Sequence, residues 1–306
     1  MTVSFATLSD SLSTIITQTS TCVVAVNGRR SASTGIHWRP GLIVTSCEAL
    51  HHGDGLTMTL PEGQTNGQTN GRAVETELLG SDPSTDVAVL SLPEGSDLPV
   101  ASLGDPQGLA LGQLVTTVGR SARRGVFTSL GMVSQLSGPW RSQSGGSIHQ
   151  YIEVTLSLHR GSAGCPLINA SGQVVGFNTY GPNRKILTIP ATTINQVVQQ
   201  LQQRGKIARG YLGLGMQTVP LPESMRQQQG LPNETGIIVV SVEAGGAADQ
   251  AGMLLGDVIV TINDDAIESV QQIQSLLGPQ SVGQALSVTL VRGGTVQTVT
   301  VMVGER

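Results

Sequence analysis

The chain has 306 residues, of which 39 are Gly, 14 Pro and 3 Cys, and its formal net charge is −4. At roughly 150 residues per domain this length predicts two domains, or one large one, with enough chain to bury a core without staples. An apolar fraction of 39% excludes a disordered chain, the absence of a basic excess speaks against nucleic acid, and three cysteines cannot build a disulfide framework.

The opening residues Met1 to Phe5 carry no basic segment, and no run reaches the ~18 apolar residues of a membrane span. As written the chain reads as cytoplasmic. A periplasmic or other extracytoplasmic location requires that an export signal has been removed. Leu8, Leu12, Ile15 and Ile16 fall on one helical face. Short β-rich runs follow at 22–26, 41–45, 56–60, 87–92, 113–118, 148–154 and 173–178, separated by Gly, Pro, Asn and Ser clusters. Many short strands with turn punctuation predict an all-β sandwich or barrel. The tandem Gln-Thr-Asn-Gly at 64–67 and 68–71 reads as a surface hairpin tip.

A helix is predicted over 190–204 from Ile194, Val197, Val198 and Leu201, with Gly205 as its stop. The predicted division is therefore 1–205, a connector at 206–210, and a second domain over 211–306. That domain shows strands at 236–242, 258–262, 286–292 and 297–303. It also shows a short helix at 247–251 and another entered through Ser269, a good N-cap.

Gly161-Ser162-Ala163-Gly164-Cys165-Pro166-Leu167 reads on its own as a β-turn, and it resembles the nucleophile loop of trypsin-like serine proteases. Such a loop aims two backbone N–H groups at a developing oxyanion and projects its third side chain toward substrate. The stretch from Gly41 to Leu50 resembles the strand and turn that carries the catalytic His in the HtrA (Deg) family. The stretch from Asp82 to Leu90 resembles its Asp segment. Arg209-Gly210-Tyr211-Leu212-Gly213 resembles the bridge into its PDZ domain, and Gly245 to Met253, Gly256 to Ile259 and Ile262-Asn263 the PDZ core. The resemblance covers about residues 8–306. It implies a mostly β fold, a chymotrypsin/trypsin-like double β-barrel followed by a PDZ domain, with no cofactor.

Carried over residue by residue, Asp86 stands at the family's Asp position, Glu48 at the His position and Ala163 at the Ser position. Peptide hydrolysis of this kind needs a hydroxyl nucleophile and a neutral base. Ala163 has no hydroxyl, and Glu48 is a weak base that repels Asp86. What the resemblance leaves is an oxyanion turn at Gly161 and Ala163. Cys165, where the family has Gly, is expected to crowd that turn. His51 or His52 serves as base if the register slips. Cys47 with His51 and Glu48 with His52 give metal-ligand spacing on a helical turn, or a plain solvated turn. His37, His149 and His159 have no recognisable partners in sequence, and Cys47 reads as a small buried residue.

In the second domain the resemblance implies a groove for C-terminal peptide tails. Tyr211, Leu212, Gly213 and Leu214 would form the carboxylate loop, Met216 would lie on the pairing edge, and Val270 and Ile273 would lie on the opposite wall. The alternative is that the protein itself or a neighbouring subunit fills this groove. The implied partners are protein C-terminal tails or unfolded polypeptides, with assembly as a homotrimer or with active relatives. Two functions follow: a pseudoprotease that binds peptides as a scaffold or chaperone-like regulator, or a serine endopeptidase captured as an inactive Ser-to-Ala form.

Overall fold

The computed structural model describes residues 4–28, 32–47, 50, 55–61, 71–142, 144–159, 161–204, 210–231, 233–278 and 281–305. The chain divides into two compact units, Met1–Ile207 and Ala208–Arg306.

The first unit opens with α1 (Phe5–Ser20), where the Ser4 hydroxyl accepts from the Thr7 amide at 3.2 Å as an N-cap. Its apolar stripe does what the periodicity predicts, since Ile15 and Ile16 pack onto the core. The far end of α1 is closed by a side chain from elsewhere. Buried Arg120 donates from Nη2 to the Ser20 carbonyl at 2.9 Å and from Nε to the Val23 carbonyl at 2.7 Å. A cation at a helix C-terminus meets both the unpaired carbonyls and the negative end of the dipole.

Seven strands follow: β1 (Val23–Asn27), β2 (Ala32–Arg39), β3 (Leu42–Ser46), β4 (Thr57–Leu60), β5 (Arg72–Glu75), β6 (Leu78–Asp82) and β7 (Val87–Ser91). They form one antiparallel sheet in the order β5-β4-β1-β2-β3-β7-β6. Next come β8 (Leu114–Ser121), β9 (Gly125–Ser137), the small hairpin of β10 (Trp140–Arg141) and β11 (Ser147–Ile148), β12 (Tyr151–Val154), β13 (Cys165–Ile168), β14 (Val174–Tyr180) and β15 (Ile186–Pro190). Six of these close into a barrel in the order β12-β15-β14-β13-β8-β9. The helix α2 (Ala191–Arg204) ends the unit.

One core cluster joins both sheets and both helices. It takes Ile36, Trp38 and Val44 from the first sheet, Val118, Phe177 and Ile189 from the barrel, and Ile194 and Val198 from α2. The buried Trp38 indole donates to Asn195 Oδ1 at 2.9 Å, so its polar edge is satisfied within the packing.

The second unit contains β16 (Gly210–Tyr211), β17 (Leu214–Pro220), α3 (Glu223–Gln229), β18 (Thr235–Val242), α4 (Ala247–Gln250), β19 (Val258–Ile262), β20 (Asp265–Ala266), α5 (Val270–Leu276), β21 (Ala285–Arg292), β22 (Thr295–Met302) and β23 (Gly304–Glu305). The main sheet runs β17-β18-β19-β21-β22, with β20 beside β19. β16 pairs with β23, so the first and last segments of the unit are tied together. Ser269 caps α5 in a full capping box with Gln272.

Candidate functional site

Asp86 lies in the turn between β6 and β7. The turn is built by Asp82, whose buried carboxylate accepts from the Ser84 amide at 3.1 Å, the Ser84 hydroxyl at 2.6 Å and the Thr85 hydroxyl at 2.9 Å. This Asx-type turn brings Asp86 to φ +61°, a left-handed conformation that Asp tolerates better than most residues. The Asp86 carboxylate then accepts from Ser46 Oγ at 2.7–2.8 Å and from Thr179 Oγ1 at 2.6 Å. Ser46 ends β3 and Thr179 lies near the end of β14, so this one carboxylate is held from both sheets.

The turn carrying Ala163 is tied as firmly. The Ser162 amide donates to the His159 carbonyl at 2.9 Å, and the His159 amide donates back to Ser162 Oγ at 2.9 Å. The Gly164 amide donates to the Asn178 carbonyl at 2.9 Å, and the Ala163 carbonyl accepts from the Thr34 amide at 3.0 Å. Gly161 and Gly164 adopt φ +90° and +85°. A side chain at Gly164 would also fall on the Thr34 carbonyl, so both glycines are needed as glycines. Ala163 is buried. The side chain at the third position of this turn is a methyl group.

Cys165 does not crowd the turn, contrary to the sequence expectation. It is fully buried, and its thiol donates to Thr34 Oγ1 at 3.2 Å, away from solvent. Burial pushes its pKa up to about 12, with the Thr34 hydrogen bond opposing. Cys47 is half-buried and its thiol donates to the Val87 carbonyl at 3.1 Å. Burial, and then the Asp86 charge, push that thiol up to about 12 as well. Buried Cys22 is pushed up to about 11 by burial. Burial thus disfavours the reactive thiolate at all three.

Glu48, His51 and His52 lie outside the described residues, as do residues 64–70 of the tandem repeat, Arg160, the expected helix stop Gly205 and residues 206–209 of the connector. No cluster of three metal-ligating side chains occurs among the described residues. The partners that sequence could not assign are now visible. His37 Nδ1 lies 3.0 Å from the Pro99 carbonyl, and His149 Nδ1 lies 3.0 Å from Thr193 Oγ1. The Tyr180 hydroxyl donates to the His159 carbonyl at 3.0 Å, which helps fix the Ala163 turn. Tyr180, Ser46 and Thr179 escaped sequence reasoning because their roles depend on strand order, not local pattern.

In the second unit the residues picked out from sequence come together in one cluster. Leu212 and Ile273 are buried, and half-buried Leu214, Met216 and Val270 pack against the same core. β17 is an edge strand of its sheet, and α5 lies beside it. Gly213 has φ +75°, and a Cβ there would sit 3.3 Å from Glu243 Cβ. The Leu212 carbonyl accepts from the Ala248 amide at 2.9 Å and the Gly213 carbonyl from the Glu243 amide at 2.8 Å. These bonds turn the 211–214 loop's carbonyls inward. Tyr211 pairs with Gly304 across β16 and β23.

Comparison with known proteins agrees with this fold. A profile of the trypsin-like peptidase domain matches residues 33–177, and one of the PDZ domain matches residues 210–303. A protein of Rhizobium meliloti strain 1021, described as a probable periplasmic serine endoprotease DegP-like, is 28% identical over 270 residues, which is 86% of this chain and 51% of that protein. A Bartonella henselae protein of the same description is 30% identical over 267 residues, 85% of this chain and 50% of that protein. The chain thus spans about half the length of the curated relatives it matches. Among solved structures, the HtrA-type protease AlgW with a decapeptide superposes with a TM-score of 0.70 at 22% identity, covering 96% of this chain and 98% of that one. A serine endoprotease from Yersinia pestis gives a TM-score of 0.70 at 24% identity, covering 96% and 97%.

Proposed function

Because the chain belongs to the HtrA family, a trypsin-like peptidase domain followed by one PDZ domain, we propose that it is a proteolytically inactive member, a pseudoprotease that binds peptides. The observation that carries this reading is the methyl group of Ala163 in a tightly tied turn flanked by two positive-φ glycines. Acyl transfer starts when a base takes a proton from a hydroxyl and the oxygen attacks a carbonyl. Here no hydroxyl stands at that position, and the sequence offers Glu48 where an imidazole belongs. Losing the nucleophile or base of such a triad lowers kcat on the order of a million-fold, about 8 kcal/mol of barrier. Asp86 keeps its two hydroxyl donors and acts in this reading as a structural tie between the sheets.

Binding falls to the PDZ domain. An incoming C-terminal tail adds as a strand along the edge of β17, with its carboxylate at the 211–214 loop and its apolar side chain among Leu212, Leu214, Met216, Val270 and Ile273. The partners are protein tails or unfolded polypeptides, and the protein acts as a scaffold or chaperone-like regulator. It works as a homotrimer or alongside active relatives. The relatives are described as periplasmic, which supports an extracytoplasmic location.

The same descriptions favour a second reading, a serine endopeptidase of the HtrA type in which Ala163 replaces the attacking serine. Casein digestion separates the two. The pseudoprotease reading expects no turnover from the protein as it stands, none from Ala163→Ser alone, and activity only when Glu48→His is added. Robust turnover by Ala163→Ser alone establishes the endopeptidase reading instead.

A further inference from the structure

The second unit is acidic and the first is not. Residues 208–306 hold nine Asp and Glu against four Arg and no Lys or His, whereas residues 1–207 hold twelve acids against thirteen Lys and Arg. Within the second unit, the elements that would flank a bound tail are uncharged: β17 and α5 contain no Asp, Glu, Lys or Arg. The charge lies at the two ends. Glu243 stands beside Gly213 at the carboxylate end. Glu234 and Glu268 stand at the other. Pro220, the last residue of β17, pairs with Thr235. The Thr235 hydroxyl donates to the Glu268 carbonyl at 2.9 Å, and the Leu221 amide donates to the Glu234 carbonyl at 2.9 Å.

A tail whose carboxylate lies at the 211–214 loop runs antiparallel to β17 and advances about 3.3 Å per residue. The residues roughly four to six before its terminus therefore lie toward the Pro220 end, where these two acids stand. Glu234 and Glu268 are exposed, and neither is ion-paired among the described residues. The cation on the connection from β17 to β18, Arg226, is half-buried on α3 one turn after Glu223, which offsets it. A tail brings its own negative terminus into this acidic field. Lys or Arg upstream relieves that repulsion and meets two unpaired carboxylates, whereas Asp or Glu there adds to it.

We propose that this groove selects polypeptide tails that are apolar at the terminus and carry Lys or Arg roughly four to six residues before it, with Glu234 and Glu268 as the specificity-determining residues. The inference rests on the tail-binding reading of the β17 edge and names the class of tail. The test is fluorescence anisotropy of the full chain with three labelled ten-residue peptides. They share three apolar terminal residues and differ only in carrying Lys, Gln or Glu at the fourth to sixth residues from the end. The expected order is Lys tighter than Gln and Gln tighter than Glu, with about tenfold between the extremes at low salt. The spread shrinks at 1 M salt, where screening acts within about 3 Å. Glu234→Gln combined with Glu268→Gln should bring the three affinities within about twofold and leave that of the Gln peptide unchanged. Asp264→Asn, in the turn between β19 and β20, should keep the spread. Binding that Gly213→Val abolishes but that ignores peptide charge overturns the selection and leaves the groove standing. A spread that survives the double variant, or that Asp264→Asn removes equally, overturns the assignment to these two acids. No binding by any of the three peptides overturns the tail-binding reading, and this inference with it.

Discussion

At Gly213 the backbone takes φ +75° and a Cβ would press on the Glu243 side chain at 3.3 Å. Gly213→Val meets both the dihedral penalty and the crowding, and it removes the close approach a tail carboxylate needs. Affinity for a fluorescein-labelled apolar-tailed peptide should fall at least about tenfold by anisotropy. An unchanged affinity would remove this loop from the account of binding. Arg120 makes a second residue-scale case. Its guanidinium is buried, donates to two carbonyls, and has its pKa lowered by burial. Arg120→Met keeps much of the stem's bulk but leaves the Ser20 and Val23 carbonyls without that donor. A loss of roughly 2–3 kcal/mol by urea denaturation is expected, because hydrogen bonds to charged groups are among the stronger ones.

Among the elements, α5 depends on its entry. The Ser269 hydroxyl accepts from the Gln272 amide at 3.3 Å, and Gln272 Oε1 accepts from the Ser269 amide at 3.0 Å. Ser269→Ala should cost about 1 kcal/mol in urea denaturation and weaken tail binding by loosening the wall that holds Val270 and Ile273. This element was legible in the sequence from its cap and apolar spacing, α1 from apolar spacing, and α2 from apolar spacing with Gly205 as its stop. The strands were less even. β2 went unread because Ser33, Thr34 and His37 are polar yet buried: Ser33 Oγ accepts from Thr45, Thr34 Oγ1 accepts from the Arg120 amide and the Cys165 thiol, and His37 Nδ1 lies against the Pro99 carbonyl. β9 spans 13 residues but alternates Thr, Ser, Gly and Gln with its apolar residues, so no run stands out. The predicted strand over 148–154 divides, with Ile148 in β11 and Tyr151 starting β12. Asp86 and the 161–164 turn could be found by resemblance. Their hydroxyl and carbonyl partners come from strands far apart in sequence, and no local signal marks those.

Across the whole molecule, the two units differ in how they use charge. In the second, Asp257 is buried and accepts from Arg292 Nε at 2.8 Å and Nη2 at 2.7 Å. Burial alone would raise its pKa, but these bonds and the Leu254 amide hold it below the usual carboxylate value. A depressed pKa stabilises the fold above the ordinary Asp value, about 3.9, and that contribution is lost as pH falls through the folded value. The melting transition of the second unit should therefore drop below about pH 4, and Arg292→Gln should lower it at neutral pH while flattening its acid dependence. Calorimetry from pH 7 to pH 3 on both forms reads this directly. The thiols have a different consequence. Burial pushes all three thiols up to about 11 or 12, which keeps them in the protonated form at neutral pH. An alkylating agent meets little at the buried Cys22 and Cys165 while the first unit stays folded. Iodoacetamide labelling of Cys22 and Cys165 then becomes a clock for opening of the first unit.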